Sequence, residues 1–161
     1  MLSAISNRRA VRKYQSKPVS ENDIQALIEA FQASPCAMKQ TDDLRGIVVT
    51  NEEFRQRIEH STNNSCYGAP LLFILTTKKE SKFGERDSSV AAENIMLQAT
   101  ALGLGSVYIM GGALALNDDS DLLAELGVKD GYEVSVIVPV GCAANKTTGE
   151  DRSHRYHLSR K

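Results

Sequence analysis

Apolar positions along this chain alternate between helical and strand-like periods. Ile24, Leu27, Ile28 and Phe31 recur at helical spacing behind Ser20 and Asp23, which resemble a capping box, so an amphipathic helix is predicted from Ser20 to about Ala33. It stops ahead of Pro35, because proline disfavours helical geometry in the residue before it. After a loop running through Asp43, the β-branched stretch Gly46-Ile47-Val48-Val49-Thr50 predicts a buried strand, and Asn51 can cap a helix through Phe54 to Ile58. The polar run Ser61-Thr62-Asn63-Asn64-Ser65 favours turns, and Leu71 to Thr76 is a second strand.

From Arg86 to Leu102 the apolar residues Val90, Ile95, Met96, Leu97, Ala99 and Leu102 spread over much of a helical circumference, which predicts a mostly buried helix capped by Gly103. Ser106 to Met110 then predicts a strand closed by a Gly111-Gly112 turn. Asp118 or Asp119 caps a short helix through Leu126. The last strand is Tyr132 to Val140, where Pro139 predicts an edge or a bulge. Asn145 to Lys161 is polar and basic with no apolar period, a tail that needs a partner surface to be ordered.

A chain of 161 residues with 42% hydrophobic content suffices for one core, so one domain over residues 1–161 is expected. Nineteen Lys and Arg against twenty Asp and Glu leave a net charge of -1, which argues against a surface that tracks nucleic acid or an anionic membrane. No stretch approaches the roughly 20 apolar residues of a membrane span, and Met1 to Ala10 lacks a signal-peptide core, so a cytoplasmic protein is expected. Cys36, Cys66 and Cys142 are odd in number and far apart, which fits reduced thiols and neither a disulfide framework nor a zinc site.

Against this neutral background, Arg8-Arg9-Ala10-Val11-Arg12 stands out. A guanidinium is always charged and offers a planar fork of donors matched to phosphate oxygens, so three within five residues suggest a local phosphate grip. The alternative is a solvated basic run. Other motifs fail on context. Gly103-Leu104-Gly105 follows a helix and leads into a strand, the reverse of a dinucleotide fingerprint. His60, His154 and His157 have no cysteine or carboxylate pair to complete a metal set. No Gly-x-Ser-x-Gly elbow is present, Cys66 has no catalytic-thiol signature, and the dispersed aromatics give no platform for single-stranded nucleic acid.

Taken in order, Arg8-Arg9-Ala10-Val11-Arg12 with Tyr14 and Pro18, Ser34-Pro35-Cys36-Ala37-Met38, Gly68-Ala69-Pro70, Ala101-Leu102-Gly103-Leu104-Gly105-Ser106 and Gly111-Gly112 resemble the nitroreductase-like FMN flavoproteins over nearly the whole chain. The resemblance implies an α+β fold with a central mixed, largely antiparallel sheet flanked by helices. It also implies a homodimer with two FMN sites at the subunit interface. Arg8 and Arg9 would hold the phosphate and ribityl chain, with Ala10 lending backbone contact. Arg12 would lie beneath the pyrimidine, where a fixed cation stabilises the negative charge that two-electron reduction places near N1 and O2. Asn63 or Asn64, with Asn64 preferred, would meet the pyrimidine edge, and Gly111-Gly112 would bring backbone amides close to the flavin. A cation after the last strand completes the phosphate site in the family. Lys146 is favoured by position, then Arg152, with Arg155 also in reach. The loop Pro35 to Lys39 would be donated across the interface, so that Pro35, Cys36, Ala37 and Met38 contact FMN held mainly by the other subunit.

Departures from the family pattern fall in that loop. Relatives commonly continue it with Asn, Gln and Pro-Trp, whereas this chain has Lys39, Gln40, Thr41, Asp42, Asp43 and Leu44, and Cys36 replaces a usual serine. The resulting expectation is a ping-pong oxidoreductase that passes hydride from NAD(P)H through FMN to a nitroaromatic, quinone or similar acceptor. No dedicated acid or base is assigned. The alternatives are a non-enzymatic flavin-binding or redox-sensing dimer, and a scaffold dimer that has lost FMN.

Overall fold

The computed structural model describes residues 1–146 and 149–161. Residues 147 and 148, inside the tail expected from Asn145, lie outside the described residues. In chain order the elements are α1 (Ser3–Asn7), α2 (Glu21–Gln32), β1 (Leu44–Val49), α3 (Glu52–Ser61), β2 (Leu71–Lys78), α4 (Gly84–Ala101), β3 (Gly105–Ser106), α5 (Gly111–Leu116), α6 (Ser120–Glu125) and β4 (Tyr132–Gly141). The strands form one antiparallel sheet in the order β1-β2-β4-β3, and a single parallel bridge between Ala10 and Ser106 extends it.

The helix starts follow their caps. Ser20 accepts from the Asp23 amide, Asn51 from Phe54 and Asp119 from Leu122, each filling a donor left open in a first helical turn. Gly103, at φ 75°, supplies the left-handed exit from α4.

Strand β2 divides two cores by simple alternation. Leu71, Phe73 and Leu75 face α2 and α4, packing with Ile24, Leu27, Ile95 and Val136. Leu72 and Ile74 face the opposite layer of α3, α5 and α6, with Ile58, Leu116, Leu122 and Ile137. On β4 the alternation is broken deliberately. Thr76 pairs with Val134 and Leu75 with Val136, so Ser135 is an extra residue, and Val134 and Val136 face opposite cores.

Three sequence expectations change. The strand expected at Ser106 to Met110 is a two-residue ladder, Gly105–Ser106, followed by an isolated bridge from Ile109 to Ile137. Pro139 falls in the gap between these pairings and has no N–H to close it, so it interrupts β3 from an interior strand, while the bulge lies at Ser135. Gly111-Gly112 is no turn but the first turn of α5. Lastly, α1 and the two short 3-10 turns at Ala37–Lys39 and Thr41–Asp43 carry no apolar period that would announce them.

Candidate functional site

The N-terminal basic segment is held against the free edge of the sheet as an irregular extra strand. The Val11 amide donates to Ser106 O at 3.0 Å, Gln15 N to Cys142 O at 2.9 Å, and Ala144 N to Lys13 O at 2.9 Å. The Tyr14 hydroxyl donates toward Val11 O at 2.8 Å and Pro139 O at 3.2 Å, and burial raises its pKa strongly. Gly105 and Gly141 permit this approach. A Cβ on Gly105 would come within 2.6 Å of Val11, and one on Gly141 within 2.6 Å of Pro70 and 3.2 Å of Tyr14.

Two guanidinium groups converge on the Arg8 carbonyl at the start of this segment. Arg9 Nη1 donates to the carbonyls of Ser6 and Arg8, each at 2.8 Å. Arg152 Nη2, arriving from the tail, donates to the same Arg8 carbonyl. The Arg8 side chain is anchored through Nε, 3.3 Å from Glu93 on α4. Of the tail cations, Arg152 is therefore the one that reaches the segment. Lys146 is exposed, and Arg155 pairs with Glu150 at 2.8 Å, holding that carboxyl below its usual range. Arg152 Nε lies 3.5 Å from Glu150, close enough for ion pairing but outside hydrogen-bond geometry, so it is buried and unsatisfied, as is Ser106 Oγ. Ala10 and Arg12 are both exposed on the same segment.

The remaining candidates stand on neighbouring elements. Asn63 and Asn64 adopt left-handed backbone at φ 52° and 59° in a turn tied by Glu59, whose carboxylate accepts from the amides of Cys66 and Gly68. This turn packs against α5, since a Cβ on Gly112 would lie 3.0 Å from Ser65 and from Ile109, whereas one on Gly111 would meet nothing within 4 Å. Gly112 is thus explained by packing, and Gly111 leaves its backbone open. Pro35 to Met38 lie along α4, with Met38 and Lys39 at φ 53° and 58°, and with Met38 78% exposed. The structure brings Arg9 and Arg152 together on the Arg8 carbonyl, and it sets Ser65, the residue after Asn64, against Gly112, while Asn64 itself lines a cavity with Arg55, Glu59 and His60. Arg8 through Glu93, and the Pro35 to Met38 loop through Asp87, are both tied to α4 of the same chain.

Sequence reasoning passed over Glu93, Asp87 and Asn94 on α4 and the buried hydroxyl of Ser106. Polar residues inside an otherwise buried helix were the available signal. Among the described residues no group of His, Cys, Asp and Glu could hold a metal ion, and no helix is long and apolar enough to cross a membrane. Beside Arg9 there is a small cavity of about 180 Å³ lined by Asn7, Val11, Thr100, Gly103 and Ala143.

An antiparallel sheet with helices on both faces and arginines along its edge is an α+β scaffold. Over residues 1–161 the sequence matches the family described as "Putative TM nitroreductase", and the chain belongs to that nitroreductase family. A protein of Methanothermobacter thermautotrophicus named "Putative NADH dehydrogenase/NAD(P)H nitroreductase" is 30% identical over 169 residues, covering 99% of this chain and 87% of the relative. A nitroreductase with bound FMN from Bacteroides fragilis superposes with TM-score 0.82 at 25% identity, covering 98% of this chain and 97% of that one. Another with bound FMN, from Desulfitobacterium hafniense, gives TM-score 0.87 at 21% identity, covering 98% and 96%, and at that identity speaks for the fold alone.

Proposed function

We propose that this chain is an FMN-dependent oxidoreductase that works as a homodimer, taking reducing equivalents from NADH or NADPH and delivering them to a nitroaromatic, quinone or similar acceptor. The observation that carries this reading is the convergence of Arg9 and Arg152 on the Arg8 carbonyl, while the Arg8 side chain pairs with Glu93. Three permanent cations on one backbone segment suit a phosphate dianion. The buried, unsatisfied Ser106 Oγ is a further donor beside the same segment, and it fits a phosphorylated, hydroxyl-rich ligand.

Arg8, Arg9 and Arg152 bind the phosphate, and Lys146 adds positive charge from the exposed end of the last strand. Ala10 offers its backbone to the ribityl chain. Arg12, Asn64 and the amides of Gly111 and Gly112 orient the pyrimidine edge, and Arg12 supplies the cation for charge that grows there on reduction. FMN, when bound, carries the hydride chemistry in two half-reactions, so donor and acceptor take turns on one face. No side chain of this set needs to hold or deliver a proton.

Size and surface support the homodimer. A whole ligand of this kind needs a pocket of about 300 Å³ or more, and the 180 Å³ cavity beside Arg9 does not provide it. A second surface must complete the site. Exposed apolar side chains are available for it: Leu2 just before α1, Ile5 on α1, Val90 on α4, Tyr108, Met110, and Leu114 on α5, with Tyr108 Oη 2.9 Å from Ser89 Oγ on α4. Pro35, Cys36, Ala37 and Met38 of one protomer then close over the flavin of its partner. Titrating FMN into the flavin-free protein by fluorescence, with sedimentation to give the mass of the complex, tests the reading. One FMN per chain in a dimer supports it, and absence of binding contradicts it.

A further inference from the structure

Helix α4 carries two polar side chains seven residues apart, hence two turns and about 10 Å apart on one face. Both hold the segment that leaves α2. Asn94 Nδ2 donates to Ala30 O at 3.3 Å and to Ser34 Oγ at 3.1 Å. Asp87 is only 7% exposed, and both of its carboxylate oxygens accept from the Ala37 amide at 3.1 Å. Ser34 to Ala37 is three residues, which span about 10 Å only when nearly extended. Cys36 is indeed extended, at φ -126° and ψ 149°. The two anchors therefore draw this segment taut, antiparallel to α4.

Immediately past the second anchor come Met38 and Lys39, two successive left-handed residues without the glycine that such backbone favours. Met38 gains nothing from the conformation inside its own chain, because 78% of its surface remains exposed. Strain and exposure at one residue need an external reason, and a buried carboxylate spent on one amide of the same loop needs one too. Asp87 sits in the first turns of α4, where the helix dipole favours its charge, and its side chain has no partner other than Ala37 among the described residues.

We propose that Asp87, seconded by Asn94, is a positioning residue that fixes the Ala37 backbone so that Met38 projects at a set angle toward flavin held by the partner subunit. The inference rests on the FMN reading above. It also accounts for how this chain keeps a flavin-facing loop in shape although Lys39 to Asp43 departs from the family pattern, since the anchor precedes the departure.

The test compares wild type, Asp87→Ala and Asp87→Asn by hydrogen exchange of the peptide spanning residues 35–40 and by FMN affinity. In Asp87→Ala the loop amides are expected to exchange at least about tenfold faster while α4 peptides stay protected, and FMN binding is expected to weaken about tenfold, the change that one hydrogen bond to a charged group corresponds to. Asparagine keeps an acceptor for the Ala37 amide, so Asp87→Asn should restore both readouts to near wild type. Unchanged loop exchange overturns the proposal, and so does faster exchange at unchanged FMN affinity, which makes Asp87 a loop anchor only. Should Asp87→Ala not fold, Asn94→Ala carries the same comparison from a half-buried position. If wild type itself binds no FMN, the function fails, and the role of Asp87 toward flavin fails with it, whatever the exchange shows.

Discussion

Arg152, near the end of the chain, donates from Nη2 to the backbone carbonyl of Arg8, near its beginning. Among the described residues the tail has no helix or strand of its own, yet this contact brings Arg152 to the backbone of Arg8, two residues before Ala10 bridges Ser106 at the sheet edge. On the proposed reading, FMN affinity depends on both ends of the chain.

Replacing Arg152 with alanine is therefore expected to weaken FMN binding about tenfold to a hundredfold, the range for losing a charge-assisted contact to phosphate. The double replacement Arg8→Ala with Arg9→Ala should abolish binding at unchanged circular dichroism. Fluorescence titration reads both, and normal flavin retention in the double variant would remove the phosphate-grip assignment.

Arg12 is exposed on the same segment and makes none of the contacts to the Arg8 carbonyl that define the proposed phosphate site. Arg12→Ala should leave FMN bound but lower its reduction potential, by about 30 mV for each tenfold loss of preference for the reduced form of a two-electron couple. Equilibration against a reference dye measures the shift. An unmoved potential would place Arg12 away from the pyrimidine.

Docking of the arginine segment relies on the bare backbone of Gly105. Because an added Cβ would come within 2.6 Å of Val11, Gly105→Ala should cost about 1–3 kcal/mol of overpacking or push the segment off the edge. The expected signature is a lower melting temperature together with weaker FMN binding. Wild-type affinity at wild-type stability would mean that Val11 is not fixed as described.

Much of this was legible before any coordinates. Ser20, Asn51 and Asp119 announce their helices because a capping side chain acts within three residues, and the β-branched run Ile47 to Val49 and the short apolar run Leu71 to Thr76 declare strands for a similarly local reason. What escaped depends on residues distant in sequence. Whether Ser106 to Met110 could be a full strand was decided by Pro139 across the ladder, and whether Gly111-Gly112 turned or began a helix was decided by packing on Ser65. Within the candidate site the arginines were visible as a run. Which tail cation would join them was not, because Arg152 lies 144 residues from its partner and position along the chain had favoured Lys146. Glu93, Asp87 and Asn94 act through the α4 surface, and the sequence offers only their polarity inside an otherwise buried helix.

Cys66 is fully buried, and burial pushes its thiol up from 9.0 to about 12. Burial raises the Tyr14 hydroxyl as well. A raised acid contributes stability that is present below its unfolded pKa and lost as pH rises, because the unfolded chain releases the proton first. Stability should accordingly fall as pH climbs above about 9, by up to roughly 1.4 kcal/mol per pH unit for the thiol alone. Cys66→Ala should flatten that slope in urea titrations at pH 8 to 10.5. Thiol labelling at pH 8 gives a companion check: the half-buried Cys142 reacts, while Cys66 reacts only in denaturant.

The most direct test of the central claim is an anaerobic absorbance titration of the FMN-loaded protein with NADH and then NADPH, followed by a quinone or a nitroaromatic. The account predicts that the flavin band bleaches with at least one nucleotide and recovers when the acceptor is added. Bound flavin that neither nucleotide reduces would contradict it, and would leave a flavin-binding protein without turnover.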